Sequence, residues 1–178
     1  LNNDYNYIIN LGGDVDHHGK NTFKSHHIGC KNLSDFFEKK NIEKFIQIGS
    51  SVEYGALKSP HNESKIKLKI SEMNSIYAKA KLKTSYHLIS LYKKKKFPVT
   101  IFRIYLAYGP GQDFNRIIPF TIKNCLKNKI FPCSAGDQFR DFIYITDVVS
   151  ALFKCLNKKD SNGEIFNLCT GRPYNIKK

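Results

Sequence analysis

Methionine is almost missing from this sequence. Its single occurrence is Met73, so Leu1 is not a translation start, and a processed N-terminus or an internal piece of a longer chain is the expectation. Arginine is scarce as well: Arg103, Arg116, Arg140 and Arg172 stand against 25 lysines. No apolar run approaches the roughly 18–20 residues that cross a bilayer, and nothing at the start resembles a signal peptide, which makes a cytoplasmic protein the default. Cys30, Cys125, Cys133, Cys155 and Cys169 are odd in number and contain no C-x-x-C pair. Neither a disulfide framework nor a zinc site is therefore indicated, and most of them read as small buried hydrophobes in a reducing cytosol. The His17-His18 and His26-His27 pairs have no companion Cys/His cluster and read as loop or helix positions, so no metal is expected. Internal repeats and low-complexity linkers are absent too.

What is plentiful is charge of one sign: 29 Lys+Arg against 15 Asp+Glu, a formal net charge of +14. Such a balance suits nucleic acid or an anionic membrane surface. Its make-up argues otherwise, because close phosphate readers favour the bidentate arginine fork, whereas lysine serves as a solvated point charge. Abundant Asn and Ile point to an AT-rich coding bias, and the run Lys93–Lys96 reads as a solvated helix end. With 178 residues, 41% of them hydrophobic, the chain suits one globular domain.

The order of patterns is strand and helix in alternation. Tyr5–Leu11 is a short apolar run closed by Gly12-Gly13, a buried strand and a turn. Leu33, Phe36 and Phe37 mark an amphipathic helix from about Ile28 to Lys39. Lys44–Ile48 is a second strand, closed by Gly49-Ser50-Ser51, and a polar connection covers Ala56–Glu72. A long helix runs from about Ser75 to Lys95 and stops before Pro98. Val99–Tyr105 is a strand that leads into Tyr108-Gly109-Pro110-Gly111. Ile117, Ile118, Ile122, Cys125 and Leu126 form another helix face. Phe142–Ile145 is a short strand, Thr146 or Asp147 caps a helix through Leu156, and Glu164–Leu168 is a last strand. Alternation of this kind implies an α/β fold with a mostly parallel sheet covered on both faces.

A Tyr and a Lys four residues apart on a helix share one face, where the ammonium favours the phenolate and makes the tyrosine a candidate general base. The spacing alone is weak in a chain with ten Tyr and 25 Lys. It occurs four times, at Tyr54/Lys58, Tyr77/Lys81, Tyr92/Lys96 and Tyr174/Lys178. Context selects Tyr77/Lys81, which opens the long helix and follows a strand ending in Ser50. Strand C-terminal ends form the ligand crevice of a parallel sheet, so Ser50 would be able to bond the hydroxyl that Tyr77 deprotonates.

Phe45–Gly55 (FIQIGSSVEYG) followed by Ser75–Lys81 (SIYAKAK) resembles the extended short-chain dehydrogenase/reductases, in their NAD-dependent epimerase/dehydratase branch that acts on nucleotide sugars. Arg103–Gln112 (RIYLAYGPGQ), Asn115–Pro119 (NRIIP), Gly136–Val148 (GDQFRDFIYITDV) and Gly163–Gly171 (GEIFNLCTG) follow in family order. The resemblance implies a partial Rossmann-like, doubly wound parallel sheet over 1–178, with the beginning of a C-terminal substrate-binding part to which 110–142 and 158–178 contribute. It implies Ser50, Tyr77 and Lys81 as catalytic residues, and Leu11, Gly12, Gly13, Tyr77 and Lys81 as contacts to NAD or NADP. It further implies Ser51, Asn115 and Arg140 on the nucleotide-sugar substrate, with Arg140 on the diphosphate rather than in a surface pair with Asp141. Tyr77 would take a hydroxyl proton while Lys81 holds the cofactor ribose. The family's glycine-rich cofactor turn is not in this sequence, so an internal fragment that binds NAD poorly on its own is expected, with a homodimer through the helices near 28–39 and 75–95 for the intact protein.

Two departures refine this. Family dehydratases carry an Asp-Glu pair after the catalytic Ser or Thr, whereas here Ser51-Val52 stand there and Glu53 falls one residue off, on the opposite face of an extended segment. Leu106 replaces an asparagine that contacts the sugar phosphate in many relatives. The reading is therefore an epimerase, with a 4-keto-sugar reductase or a dehydratase as alternatives within the family. A non-catalytic cofactor- or RNA-binding protein is the alternative of another class.

Overall fold

The computed structural model describes residues 5–14, 19–63 and 68–177, and the His17-His18 pair lies outside them. In chain order the elements are β1 (Tyr7–Asn10), a π-helical turn (Lys24–Ile28), α1 (Gly29–Phe37), β2 (Lys44–Ser50), α2 (Ile76–Lys95), β3 (Val99–Ile104), β4 (Leu106–Tyr108), α3 (Ile117–Leu126), β5 (Phe139–Arg140), β6 (Phe142–Tyr144), α4 (Ile145–Leu156), β7 (Ile165–Leu168) and β8 (Tyr174–Asn175). Contacts divide the chain into two compact units, Leu1–Ile104 with Ala151–Asn167 and Tyr105–Ser150 with Leu168–Lys178.

The first unit is a Rossmann-like α/β layer structure. Its sheet has the order β1-β2-β3-β7, with β1/β2 and β2/β3 parallel. Residues 44–47 and 99–103 are buried without interruption, as strands covered on both faces require. Phe45, Val99 and Ile101 pack with Leu88 of α2, Cys30 and Phe37 of α1, and Phe97. A second cluster joins Tyr54, Leu68, Met73, Ala78 and Leu82 under the start of α2. Ser75 caps α2 by accepting the Ala78 N–H at 3.0 Å, and Lys96, left-handed at φ 58°, ends it just before Phe97-Pro98.

One buried cation stitches this layer together. Lys44 Nζ donates to Lys158 O at 2.7 Å, Ser161 Oγ at 2.9 Å and the Asn162 side-chain oxygen, which pins the 158–162 turn to the start of β2. Burial lowers its pKa.

In the second unit β4 pairs with β6 in parallel and β5 with β8 antiparallel. The Asp141 carboxylate accepts the Thr170 N–H, the Thr170 hydroxyl and the Gly171 N–H, each at 2.8 Å.

Several boundaries differ from the sequence expectation. β2 runs on to Ser50 because Gly49 and Ser50 still pair with Arg103 and Ile104 of β3. α1 stops at Phe37, and a π-helical turn leads into it. α4 begins at Ile145, so Thr146 and Asp147 lie inside its first turn rather than at the cap; an acid there still faces the positive end of the helix. β4, β5 and β8, only two or three residues each, were not expected as strands.

Candidate active site

Ser50 sits where β2 ends, and its own side chain starts the next element. A 3₁₀ turn over Ser51–Tyr54 begins there: Ser50 Oγ accepts the Val52 N–H at 3.4 Å, and Glu53 Oε1 accepts the Ser50 N–H at 2.9 Å. This reciprocal capping box changes the reading of Glu53. The segment is helical rather than extended, and Glu53 points inward with no exposed surface. Its Oε2 accepts the Ser85 hydroxyl at 2.7 Å and the Arg103 Nε–H at 2.9 Å. Arg103 in turn lies 4.6 Å from the Tyr54 ring centroid, and the Tyr54 hydroxyl donates to Asn167 Oδ1 at 2.8 Å. Burial pulls the Arg103 pKa down, but Glu53 and Tyr54 together outweigh it and leave the guanidinium above its ordinary value. Val52 is exposed. The S-x-x-E spacing of Ser50 and Glu53 was a legible signal for this arrangement.

Tyr77 and Lys81 share one face of α2, one turn apart. Lys81 Nζ donates to Ile48 O at 2.8 Å, two residues before Ser50, and stands 5.6 Å from the Tyr77 ring centroid. Lys81 is buried, and desolvation lowers its pKa; the charge of Glu53, and less so that of Cys30, pushes back. Beside Tyr77 lies His26, half of the histidine pair read from the sequence only as a loop or helix position. Its ring meets the Tyr77 ring edge-on at 5.0 Å, and its Nε2 lies 3.0 Å from Asp14 O.

Leu11, Gly12 and Gly13 leave the C-terminal end of β1 as an exposed strip. Gly13 has φ 154°, and a Cβ there would lie 1.9 Å from His26 Cε1, so His26 touches both this strip and Tyr77. Under the strip, Asn10 Nδ2 and Cys30 Sγ both donate to Gln47 Oε1, at 2.7 and 2.9 Å. Burial raises the Cys30 thiol to about 11, which makes it inert. Ser51 is half-buried in the 3₁₀ turn. Arg140 and Asn115 belong to the second unit and are exposed. Arg140 Nη1 donates to Phe139 O at 2.9 Å, and the Asn115 N–H donates to Asp113 Oδ1 at 3.1 Å. The first unit thus brings Ser50, Tyr77, Lys81 and the 11–13 strip into one layer at the ends of its parallel strands. Among the described residues no group of His, Cys, Asp and Glu is arranged to hold a metal.

Residues 1–169 match the model of the NAD dependent epimerase/dehydratase family. The chain belongs to this family. Human dTDP-D-glucose 4,6-dehydratase, a relative, is 36% identical over 131 residues, which are 72% of this chain and 36% of that protein. A dTDP-glucose 4,6-dehydratase from Bacillus anthracis, solved in complex with NAD, superposes with a TM-score of 0.84 at 26% identity, over 96% of this chain and 53% of that one. A UDP-glucuronic acid 4-epimerase from Bacillus cereus shares the fold with a TM-score of 0.82 at 24% identity, over 96% of this chain and 56% of that one. The epimerase/dehydratase chain described here therefore spans about a third to a half of the length of these family members. Within that span lie the strand end that carries Ser50 and the helix that carries Tyr77 and Lys81.

Proposed function

We propose that this chain supplies the catalytic layer of an NAD-dependent nucleotide-sugar epimerase. The observation that carries the reading is the Lys81 ammonium, held on Ile48 O beside the Tyr77 ring, next to a strand end whose segment exposes no acid. A positive charge in that place stabilises a phenolate oxygen. Tyr77 would accept the proton of a sugar hydroxyl as its carbon is oxidised to the ketone, and return it to the ketone oxygen as that carbon is reduced from the other face, while Ser50 Oγ orients that oxygen. Lys81 has three donors and gives one to Ile48, so the same ammonium is suited to a ribose hydroxyl.

The residues present fit NAD along one side. The bare Leu11-Gly12-Gly13 strip, tight against His26, offers backbone for a close approach, and Tyr77 and Lys81 lie beyond it. When bound, the cofactor supplies the acceptor and donor of two electrons. Arg140, a bidentate cation on an exposed strand, and Asn115 are assigned to the substrate diphosphate and sugar, with Ser51 near the reacting end. The Asp141 carboxylate is engaged by Thr170 and Gly171. Of the segments 110–142 and 158–178 expected to begin the substrate-binding part, 110–142 and 168–178 lie in the second unit, whereas 158–167 pack with the first.

A 4,6-dehydratase is the second reading, favoured by the names of the relatives. Against it stands the segment after Ser50: Ser51 and Val52 carry no acid, and Glu53 is buried on Arg103, so acid/base elimination of water has no group there. Five free cysteines suit a reducing compartment such as the cytoplasm, and no helix among the described residues is long and apolar enough to cross a membrane. We assign a homodimer through α1 and α2, whose Phe36 and Tyr86 are exposed; sedimentation of the full-length protein checks it, with a monomer at micromolar concentration contradicting it. The function itself is tested by incubating the full-length protein with NAD and nucleotide sugars. Tyr77→Phe is expected to slow turnover about 10²–10⁴-fold, the span of general acid–base catalysis.

A further inference from the structure

We propose that Glu53 is a positioning residue for Ser50: its carboxylate fixes the main chain at the end of β2 to α2 and β3, and so sets where the Ser50 hydroxyl meets the substrate. The inference rests on the proposed function and extends it to a residue with no access to substrate.

Three elements converge on this one side chain. Oε1 holds the Ser50 N–H, and Oε2 holds Ser85 of α2 and Arg103 of β3, at 2.7–2.9 Å. Ser85 lies one turn beyond Lys81 on the helix that also carries Tyr77. The neighbourhood is shaped around the carboxylate: a Cβ on Gly49 would lie 2.5 Å from Glu53 Oε1. A buried ion pair is a poor device for stability alone, since well-packed apolar residues often serve as well or better. A carboxylate retained at this point, with one oxygen on the amide of Ser50, is instead a device for geometry. Misplacing a catalytic group by about 1 Å costs on the order of 10²-fold in rate.

The charge of Glu53 reaches further than its hydrogen bonds. The titratable and charged groups facing it are Arg103 on β3 and Lys81 and Tyr86 on α2. Lys81 is also faced by Cys30 of α1 and stands over the Tyr77 ring. Removing the carboxylate takes away the charge that supports the Lys81 ammonium, so Lys81 loses its proton at lower pH.

The test uses the full-length protein with a nucleotide sugar that it turns over. Glu53→Gln is expected to lower kcat about 10–100-fold, with KM little changed, as expected for a misplaced catalytic group, and to move the alkaline limb of the kcat/KM profile to lower pH. The double variant Glu53→Leu/Arg103→Met replaces the ion pair by apolar volume. It is expected to melt near the wild-type temperature while kcat stays low, because leucine, unlike glutamine, offers the Ser50 amide no acceptor. A double variant that recovers both melting temperature and kcat would overturn the proposal, as would a folded Glu53→Gln with unchanged kcat and an unmoved alkaline limb. If Tyr77→Phe, run alongside, turns over at the wild-type rate, the proposed function has failed, not this inference alone.

Discussion

Lys81 shows how a single residue sets stability against function. Its ammonium is buried, and desolvation holds its pKa below the ordinary 10.5. A lysine whose pKa is lowered on folding binds fewer protons in the folded chain than in the unfolded one between those two values. Stability therefore rises with pH across that window. Lys81→Met removes the burden of the buried charge. It is expected to raise the melting temperature at neutral pH, to lose that advantage as the pH climbs towards 10.5, and to abolish turnover. Urea unfolding at a series of pH values reads this directly; a variant less stable than wild type at neutral pH would contradict it. Glu53 is the complementary case, a buried charge matched by Arg103 and two further donors. The pairing of Ser50 with a glutamate three positions later was visible in the sequence. Reading the segment as extended hid it, because a 3₁₀ turn places the third residue over the first. His26 beside Tyr77 was not legible at all, since the contact joins residues 51 positions apart.

Among the elements, β2, β3 and α2 were clear because their patterns are long and self-sufficient. Uninterrupted burial over 44–47 and 99–103 needs both faces covered, and a twenty-residue helix with a serine cap and a left-handed end announces its own bounds. β4, β5 and β8 are two- and three-residue pairings that exist only through distant partners, and no local pattern marks them. The energetic weight of the clear elements is testable at Leu88. It is fully buried on α2 against Phe45, Phe97, Val99 and Ile101. Leu88→Ala is expected to cost about 2–5 kcal/mol in urea unfolding, within the range for emptied core positions. A loss under about 1 kcal/mol would mean that α2 is not anchored there and that the placement of Tyr77 and Lys81 has another cause.

At the scale of the whole molecule, the net charge of +14 names no partner. It is a lysine background that multiplies Tyr-x-x-x-Lys spacings, and sequence context, with Tyr77 opening a long helix after the strand that ends in Ser50, is what distinguishes the pair at 77 and 81 from the other three. The family was legible from six ordered motifs, and its match over residues 1–169 agrees. The reaction turns on smaller differences. The human relative named as a dehydratase is 36% identical over 131 residues, yet the segment after Ser50 in this chain has its sole acid sealed against Arg103. The direct test is product NMR of the full-length protein incubated with NAD and a panel of nucleotide sugars. An epimerase yields a sugar inverted at the oxidised carbon with no net NADH, a product lost in Tyr77→Phe; a 4-keto-6-deoxy sugar from the wild type, or an unchanged rate in Tyr77→Phe, would overturn the assignment.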